Sequence, residues 1–189
     1  MVTKLNLVVA TLSALFFLGR PSPVQATTTH TNGRALIIYF SWGGATKRAA
    51  KAIQKQTRAD LVALKPQKAY PTDYDGLVKV ANKQRLQKVK PAIKTLGKDL
   101  DDYQVIYIGF PTWWHQPPMI IHSLFANYNF KQKTIVPFTT SMSDPMSKSM
   151  PVLKKLANKD HAKLLNGFRY DNNDKELVVY LHKNNLVKD

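Results

Sequence analysis

Residues 35–46 read ALIIYFSWGGAT, and this stretch decides the fold. Its first half, Ala35 to Phe40, is an almost unbroken apolar run, which is typical of a strand buried on both faces of a sheet. A turn with two glycines follows, and from Thr46 to Thr57 the apolar residues recur at helical spacing. The stretch therefore predicts a buried strand, a tight turn and an amphipathic helix.

The same alternation of strand and helix continues along the rest of the chain. Further apolar runs predict strands at 61–64, 105–110, 134–138 and 164–168. Further helices are predicted after Asp73, after Pro117-Pro118, from Ser149 to Ala157, and after Asn173 or Asp174. Five strands separated by helices predict one α/β domain with a doubly wound five-stranded parallel sheet. Right-handed crossovers place the carboxyl ends of all strands at one edge, where such sheets bind ligands.

The first 26 residues have the layout of a secretory signal peptide. Lys4 precedes an apolar run from Leu7 to Leu18, and small residues lead up to Ala26, after which we expect cleavage. A retained membrane anchor is the alternative, although a spanning helix needs about 20 apolar residues. Residues 27–34 are polar and predict a flexible mature N-terminus before a domain at 35–189. We therefore expect a secreted or cell-surface protein.

The composition restricts the chemistry that the protein can perform. The chain has no cysteine, which excludes a thiolate metal site and a thiol nucleophile, and no metal site is predicted from other residues. The formal net charge is +16; Lys4 and Arg20 supply two of these charges, so the mature chain keeps +14. The lysines are scattered and no nucleic-acid motif is present, so specific nucleic-acid binding is not expected. A basic surface facing anionic cell-envelope polymers or acidic partners is the favoured interpretation.

The loop after the first strand, Ser41 to Thr46, can bind an anion. Gly43 and Gly44 let the backbone approach a ligand closely, and the next helix offers free N–H groups at its positive end. The hydroxyls of Ser41 and Thr46 can add donors, which suits a phosphate monoester. A simple strand-to-helix turn is the alternative, and the loop lacks the Gly-Lys-Ser/Thr ending of a P-loop.

Two more loops are predicted at the same edge. After the third strand, Trp113 and Trp114 are adjacent and cannot both point into one core, so at least one is expected to line a cleft and stack on a flat ring. Packing of both against neighbouring helices is the alternative. His115 follows, either as a proton donor or, as we favour, as a helix cap or solvent-exposed side chain. The hydroxyl-rich segment 137–143 leaves the fourth strand, and taken alone it is more typical of a surface loop.

Together these loops resemble the flavodoxin-like family, particularly a subgroup with three recurring motifs. These are the Tyr-Phe-Ser strand exit at 39–41, a Tyr-Pro-x-Asp-Tyr turn at 70–74, and Gly-x-Pro-x-Trp-Trp at 109–114. The resemblance covers nearly all of residues 35–186 and implies strand order 2-1-3-4-5, as in flavodoxin, with flavin mononucleotide (FMN) at the switch point. It assigns the phosphate to Ser41, Gly43, Gly44, Ala45 and Thr46. It assigns the isoalloxazine ring to Pro111, Thr112, Trp113 and Trp114 on one side and Thr140 and Ser141 on the other. Trp42 and His115 complete the predicted FMN site.

Two functions follow from this comparison of residues. The first is extracytoplasmic electron transfer by an FMN protein, as a carrier or a quinone-type reductase, with a redox partner protein or a small quinone-like acceptor and no catalytic side chains of its own. The second is an exported non-redox binding module that keeps the fold and binds another anionic ligand or the cell envelope. Three departures from the family pattern favour the second: Ala45 replaces an asparagine, His115 a glycine, and Met142 to Pro145 a glycine-rich loop.

Overall fold

A computed structural model describes residues 34–187 of the 189-residue chain. The predicted signal peptide at 1–26 and nearly all of the predicted N-terminal segment at 27–34 lie outside the described residues. Within residues 34–187, none of the helices is both long and apolar enough to span a membrane.

Strands and helices alternate along the described chain. The strands are β1 (Ala35–Tyr39), β2 (Asp60–Ala63), β3 (Val105–Pro111), β4 (Thr134–Thr140), β5 (Lys163–Leu164) and β6 (Phe168–Arg169). The helices are α1 (Ala45–Thr57), α2 (Tyr74–Leu86), α3 (Met119–Asn127), α4 (Met150–Asn158) and α5 (Asp174–Lys183). Two short 3₁₀ helices, Leu100–Asp102 and Met146–Lys148, precede β3 and α4.

All strand pairs are parallel, and the order across the sheet is β2-β1-β3-β4-β5, with β6 also paired to β4. The predicted order 2-1-3-4-5 is therefore confirmed. In the centre of the sheet, Ile37 of β1 lies opposite Leu61 of β2 and Tyr107 of β3. Because every strand runs the same way, the loops after β1, β3 and β4 leave from one edge, and the order reverses between β1 and β3.

The predicted fifth strand, 164–168, forms instead as two short strands separated by a bulge. Ile135 of β4 lies opposite Leu164, and Phe138 lies opposite Phe168, so three edge residues face only two residues of β4. Gly167 lies in this bulge, where an added Cβ would come within 2.3 Å of the Pro137 carbonyl oxygen. Since Pro137 has no N–H to donate, continuous pairing is interrupted at this point.

Two apolar cores cover the two faces of the sheet. Leu36 and Ile38 of β1 face a core that includes residues of α3 and α4, whereas Ile37 and Tyr39 face a core that includes residues of α1 and α5. α2 packs beside α3. Burial on both sides explains why β1 is a nearly unbroken apolar run.

Side chains cap two of the helices as the sequence predicts. The carboxylate of Asp73 accepts a hydrogen bond of 2.7 Å from the Gly76 backbone N–H at the start of α2. At the start of α5, Asn173 accepts from the amides of Lys175 and Glu176. Such caps satisfy amides that an α-helix leaves unpaired in its first turn. The helices α1, α3 and α4 begin without a side-chain cap, and α1 starts at the carboxyl edge with a glycine at its N-cap.

Candidate functional site

The first turn of α1 has no side-chain cap. Gly44 occupies the N-cap position with φ 87°, a left-handed conformation that favours glycine, and no side chain among residues 34–187 accepts from the amides that follow. The turn contains no acidic residue, and Lys47 and Arg48 are exposed beside it. The positive end of the helix dipole is therefore neither capped nor neutralised, which is the condition for binding an anion.

Ser41 adds an unsatisfied donor to this loop. Its Oγ is buried and has no hydrogen-bond partner among the described residues. A buried hydroxyl without a partner costs about 1–3 kcal/mol, so such groups in a folded protein need an explanation. Gly43 is exposed, and no atom lies within 4 Å of the position that a Cβ would take there. The loop thus combines an orphaned hydroxyl, free amides and open space.

Hydrogen bonds tie the three predicted loops together. Thr46 Oγ1 and Thr140 Oγ1 lie 2.8 Å apart, and both side chains are buried. The Thr140 carbonyl also accepts a bond of 3.0 Å from the Thr112 N–H. The Thr139 hydroxyl donates its one proton to the Phe110 carbonyl at 2.8 Å. In the 2.7 Å hydrogen bond between Thr112 and Thr139, the Thr112 hydroxyl is therefore the donor. The loops after β1, β3 and β4 therefore form one connected edge.

The two tryptophans point in different directions. The Trp113 ring packs edge-on against Phe40 and Tyr70, with centroid distances of 5.5 and 5.7 Å and interplanar angles of 89° and 87°. Burial raises the pKa of Tyr70 to about 12, against a smaller lowering effect of the hydrogen bond from its hydroxyl to Gln84. Trp113 thus belongs to an aromatic cluster at the strand tips.

Trp114 is the outward-facing member of the pair. Its φ is 47°, the residue is 40% exposed, and the Arg85 guanidinium lies 5.4 Å from the ring centroid. The left-handed backbone at Trp114 turns the indole away from the core. A cleft of about 310 Å³, lined by both tryptophans, Thr112 and one side of α2, opens at this turn.

The His115 and Asp144 side chains connect the loops after β3 and β4. The His115 Nδ1 lies 2.9 and 3.0 Å from the two carboxylate oxygens of Asp144, and the histidine side chain is 72% exposed. His115 also has a left-handed φ of 62°. The Ser141 hydroxyl donates to the Asp144 carbonyl at 2.6 Å, and Arg169 donates to the carbonyl of Met142 at 3.3 Å. Asp144 and Arg169 contact the candidate site, and the sequence did not predict a role for either residue there.

Trp42, predicted in the FMN site, makes a different contact. Its indole Nε1–H donates a hydrogen bond of 2.8 Å to the Pro71 carbonyl, which ties the loop after β1 to the turn after β2. Pro111 is the last residue of β3, beside the turn that carries Trp113. All the predicted positions therefore lie at the carboxyl edge, although only some of them present free polar groups there.

A doubly wound sheet with an uncapped helix start and an aromatic turn at its switch point defines an α/β protein of the flavodoxin type. The flavodoxin family model matches residues 34–181, and this chain belongs to the flavodoxin family. Among curated proteins, none matches the chain.

Solved structures agree with this assignment. The chain is similar to candidate flavoproteins from Bacteroides eggerthii, with 30% identity and a TM-score of 0.72, and from Bacteroides uniformis, with 29% and 0.70. Both alignments cover 80% of this chain and 98% of the other. A flavoprotein from Lactobacillus acidophilus in complex with FMN shares 25% identity with a TM-score of 0.65, over 78% of this chain and 97% of its own.

Proposed function

We propose that this protein binds FMN at the carboxyl edge of its sheet and serves extracytoplasmic electron transfer, as a carrier or a quinone-type reductase. The observation that carries the proposal is the start of α1, where the orphaned Ser41 hydroxyl and the uncapped first turn coincide. The similarity to a flavoprotein that binds FMN supports it. When bound, the flavin supplies reversible uptake of electrons, for which protein side chains have no equivalent.

The residues of the first loop fit the phosphate of FMN. The amides after Gly44 and the Ser41 hydroxyl supply donors, and the exposed Lys47 and Arg48 supply positive charge. Ala45 contributes only its backbone N–H, so the loop relies on main-chain donors more than on side chains. Of the predicted ring contacts, the exposed indole of Trp114 has the geometry to stack on a flat ring.

The cellular setting of the proposal depends on residues 1–26, whose pattern is that of a secretory signal. The mature chain keeps a net charge of +14 once Lys4 and Arg20 are removed. A surface of this charge favours acidic redox partners or anionic envelope polymers through long-range attraction.

Titration of the mature chain with FMN and with riboflavin, which lacks the phosphate, tests the proposal. We expect FMN to bind with quenched fluorescence, and riboflavin to bind much more weakly. Ser41→Ala should weaken FMN about tenfold or more, because a hydrogen bond to a charged group is worth about 1.5–3 kcal/mol. Ser149→Ala is the matched control, since its buried hydroxyl also lacks a partner among residues 34–187 but precedes α4.

The same titration tests the non-redox binding module. The link from His115 to Asp144 crosses between the loops after β3 and β4, the two loops assigned to the ring, and this contact favours the module. Tight binding of inorganic phosphate with no binding of micromolar FMN would select the module over the flavoprotein. Equal affinity for FMN and riboflavin would show that the first turn of α1 does not hold the phosphate.

A further inference from the structure

The outer side of α2 and the turn that follows it are strongly basic. Residues 76–98 contain six lysines and one arginine and no aspartate or glutamate. The lysines from 79 to 94 are all exposed, and none of them forms an ion pair with any residue from 34 to 187. Neighbouring α3 adds no acidic side chain. Asp75 lies at the far end of α2, about 16 Å from Leu86 at 1.5 Å per residue, which is beyond the roughly 8–10 Å over which salt leaves surface charges effective.

Apolar side chains project from the same basic surface. Leu86 is 64% exposed and Val89 is 47% exposed. Lys79, Lys83 and Leu86 are spaced i, i+4 and i+7, which places them in one row along α2, on the side away from its buried residues. These exposed side chains form the α2 patch, which comprises Lys79, Lys83, Leu86, Lys88, Val89 and Lys90. Apolar groups inside a polar rim are typical of an interaction site.

The backbone holds the α2 patch in a fixed shape. Lys88 has a left-handed φ of 53°, and the Val89 N–H donates a hydrogen bond of 2.9 Å to the Gln84 carbonyl, which is the pattern of a Schellman motif at a helix end. Directly after this turn, the Ser123 hydroxyl of α3 donates to the Pro91 carbonyl at 2.6 Å. The turn is therefore anchored on both sides, so a partner that binds the patch pays little to order its backbone.

The composition of the patch favours a lipid surface over other anionic partners. Protein interfaces are depleted in lysine, and their strongest contacts come from tryptophan, tyrosine and arginine rather than leucine or valine. A soluble polyanion offers nothing to Leu86 and Val89. A bilayer with anionic headgroups satisfies both components, because lysine ammonium groups reach the phosphates while lysine stems and short apolar side chains lie at the acyl boundary.

We propose that the α2 patch docks on a bilayer that contains anionic lipids. This docking goes beyond the proposed function and does not require FMN. It places a specific part of the surface, rather than the net charge of the whole chain, against the membrane.

Co-sedimentation of the mature chain with lipid vesicles, in the absence of FMN, tests this inference. We expect binding to vesicles of phosphatidylcholine mixed with phosphatidylglycerol and none to phosphatidylcholine alone. Leu86→Gln should weaken binding about tenfold, because it removes an apolar side chain that the bilayer buries. Val179→Gln is the matched control, since Val179 is 65% exposed on α5, against the other face of the sheet, and it should bind as wild type.

A pair of double variants tests the lysines. Lys79→Gln with Lys83→Gln should weaken binding about 25-fold, at about fivefold for each lysine near an anionic membrane. Lys51→Gln with Lys55→Gln is the matched control, because these exposed lysines have the same spacing on α1 and the same change in net charge. The control should bind nearly as wild type.

The outcomes separate lipid docking from its alternatives. Weakening by Leu86→Gln and by the α2 lysine pair, with both controls unchanged, supports the bilayer. Weakening by the lysines alone would show a contact of charge only, as with a soluble polyanion, and overturns the inference. Equal weakening by the two lysine pairs would assign the attraction to net charge and also overturns it, as does absence of binding to the mixed vesicles. FMN affinity measured on the same variants should not change, so failure here leaves the FMN proposal standing.

Discussion

The hydrogen bond between Thr46 and Thr140 should behave as a coupled pair in the free energy of unfolding. It joins two buried side chains, one from the start of α1 and one from the end of β4. Thr46→Val keeps the side-chain shape but leaves the Thr140 hydroxyl without this partner, and an unsatisfied buried hydroxyl costs about 1–3 kcal/mol. Replacing both threonines leaves no orphaned group, which can be nearly neutral.

We therefore expect Thr46→Val and Thr140→Val each to lower the free energy of unfolding by about 1–3 kcal/mol. The double variant should lower it by no more than a single variant does. Urea unfolding followed by tryptophan fluorescence measures these losses, provided that the m-value stays constant. For a domain of this size, each kcal/mol corresponds to about 2–4 °C in Tm.

A second pair controls for additivity. Thr57 lies at the far end of α1, where its hydroxyl donates to the Ile53 carbonyl, so Thr46→Val and Thr57→Val share no partner and their losses should add. If the stability losses of Thr46→Val and Thr140→Val also add, the two hydroxyls are not coupled. That result would show that the Thr46–Thr140 hydrogen bond does not hold the two loops together.

Two further predictions concern the close packing at Gly109 and the burial of Tyr70. Gly109→Ala should lower the free energy of unfolding by about 3 kcal/mol or more, because its Cβ would lie 2.1 Å from Phe138 Cζ. Gly43→Ala is the control, since its Cβ would meet nothing within 4 Å. Thermal melts and near-ultraviolet circular dichroism measure both variants, and an unchanged melt for Gly109→Ala would contradict the prediction. Because burial raises the pKa of Tyr70 to about 12 from an unfolded value of about 10, its contribution to stability is complete below pH 10 and is lost as the pH rises towards 12. Tyr70→Phe should reduce that alkaline loss in urea melts, and an unchanged pH profile would contradict the assignment.

The architecture was predictable because the strongest signals in the sequence are local. β1 and β3 are long apolar runs, and Asp73 and Asn173 cap helices where the pattern places them. The split edge strand could not be read in the same way. It depends on Gly167 lying against Pro137, a contact between segments 30 residues apart in sequence that no periodicity encodes.

The candidate site was predictable in position but not in its contacts. Parallel strands bring three loops to one edge whatever their side chains do, so the location follows from topology. The direction of each indole depends on the left-handed backbone at Trp114 and His115, which non-glycine residues seldom adopt. Likewise, the bonds from Trp42 to Pro71 and from His115 to Asp144 join separate loops, and only three-dimensional placement reveals them.

The bulge at Gly167 also affects how separate molecules of this protein meet. An outer strand with a straight row of free amides and carbonyls is a template on which another chain can add a strand. In this protein the edge beside β4 consists of two strands of two residues each, β5 and β6, with a bulge between them. At this border of the sheet an incoming strand would find no uninterrupted ladder to extend, which opposes edge-to-edge aggregation there.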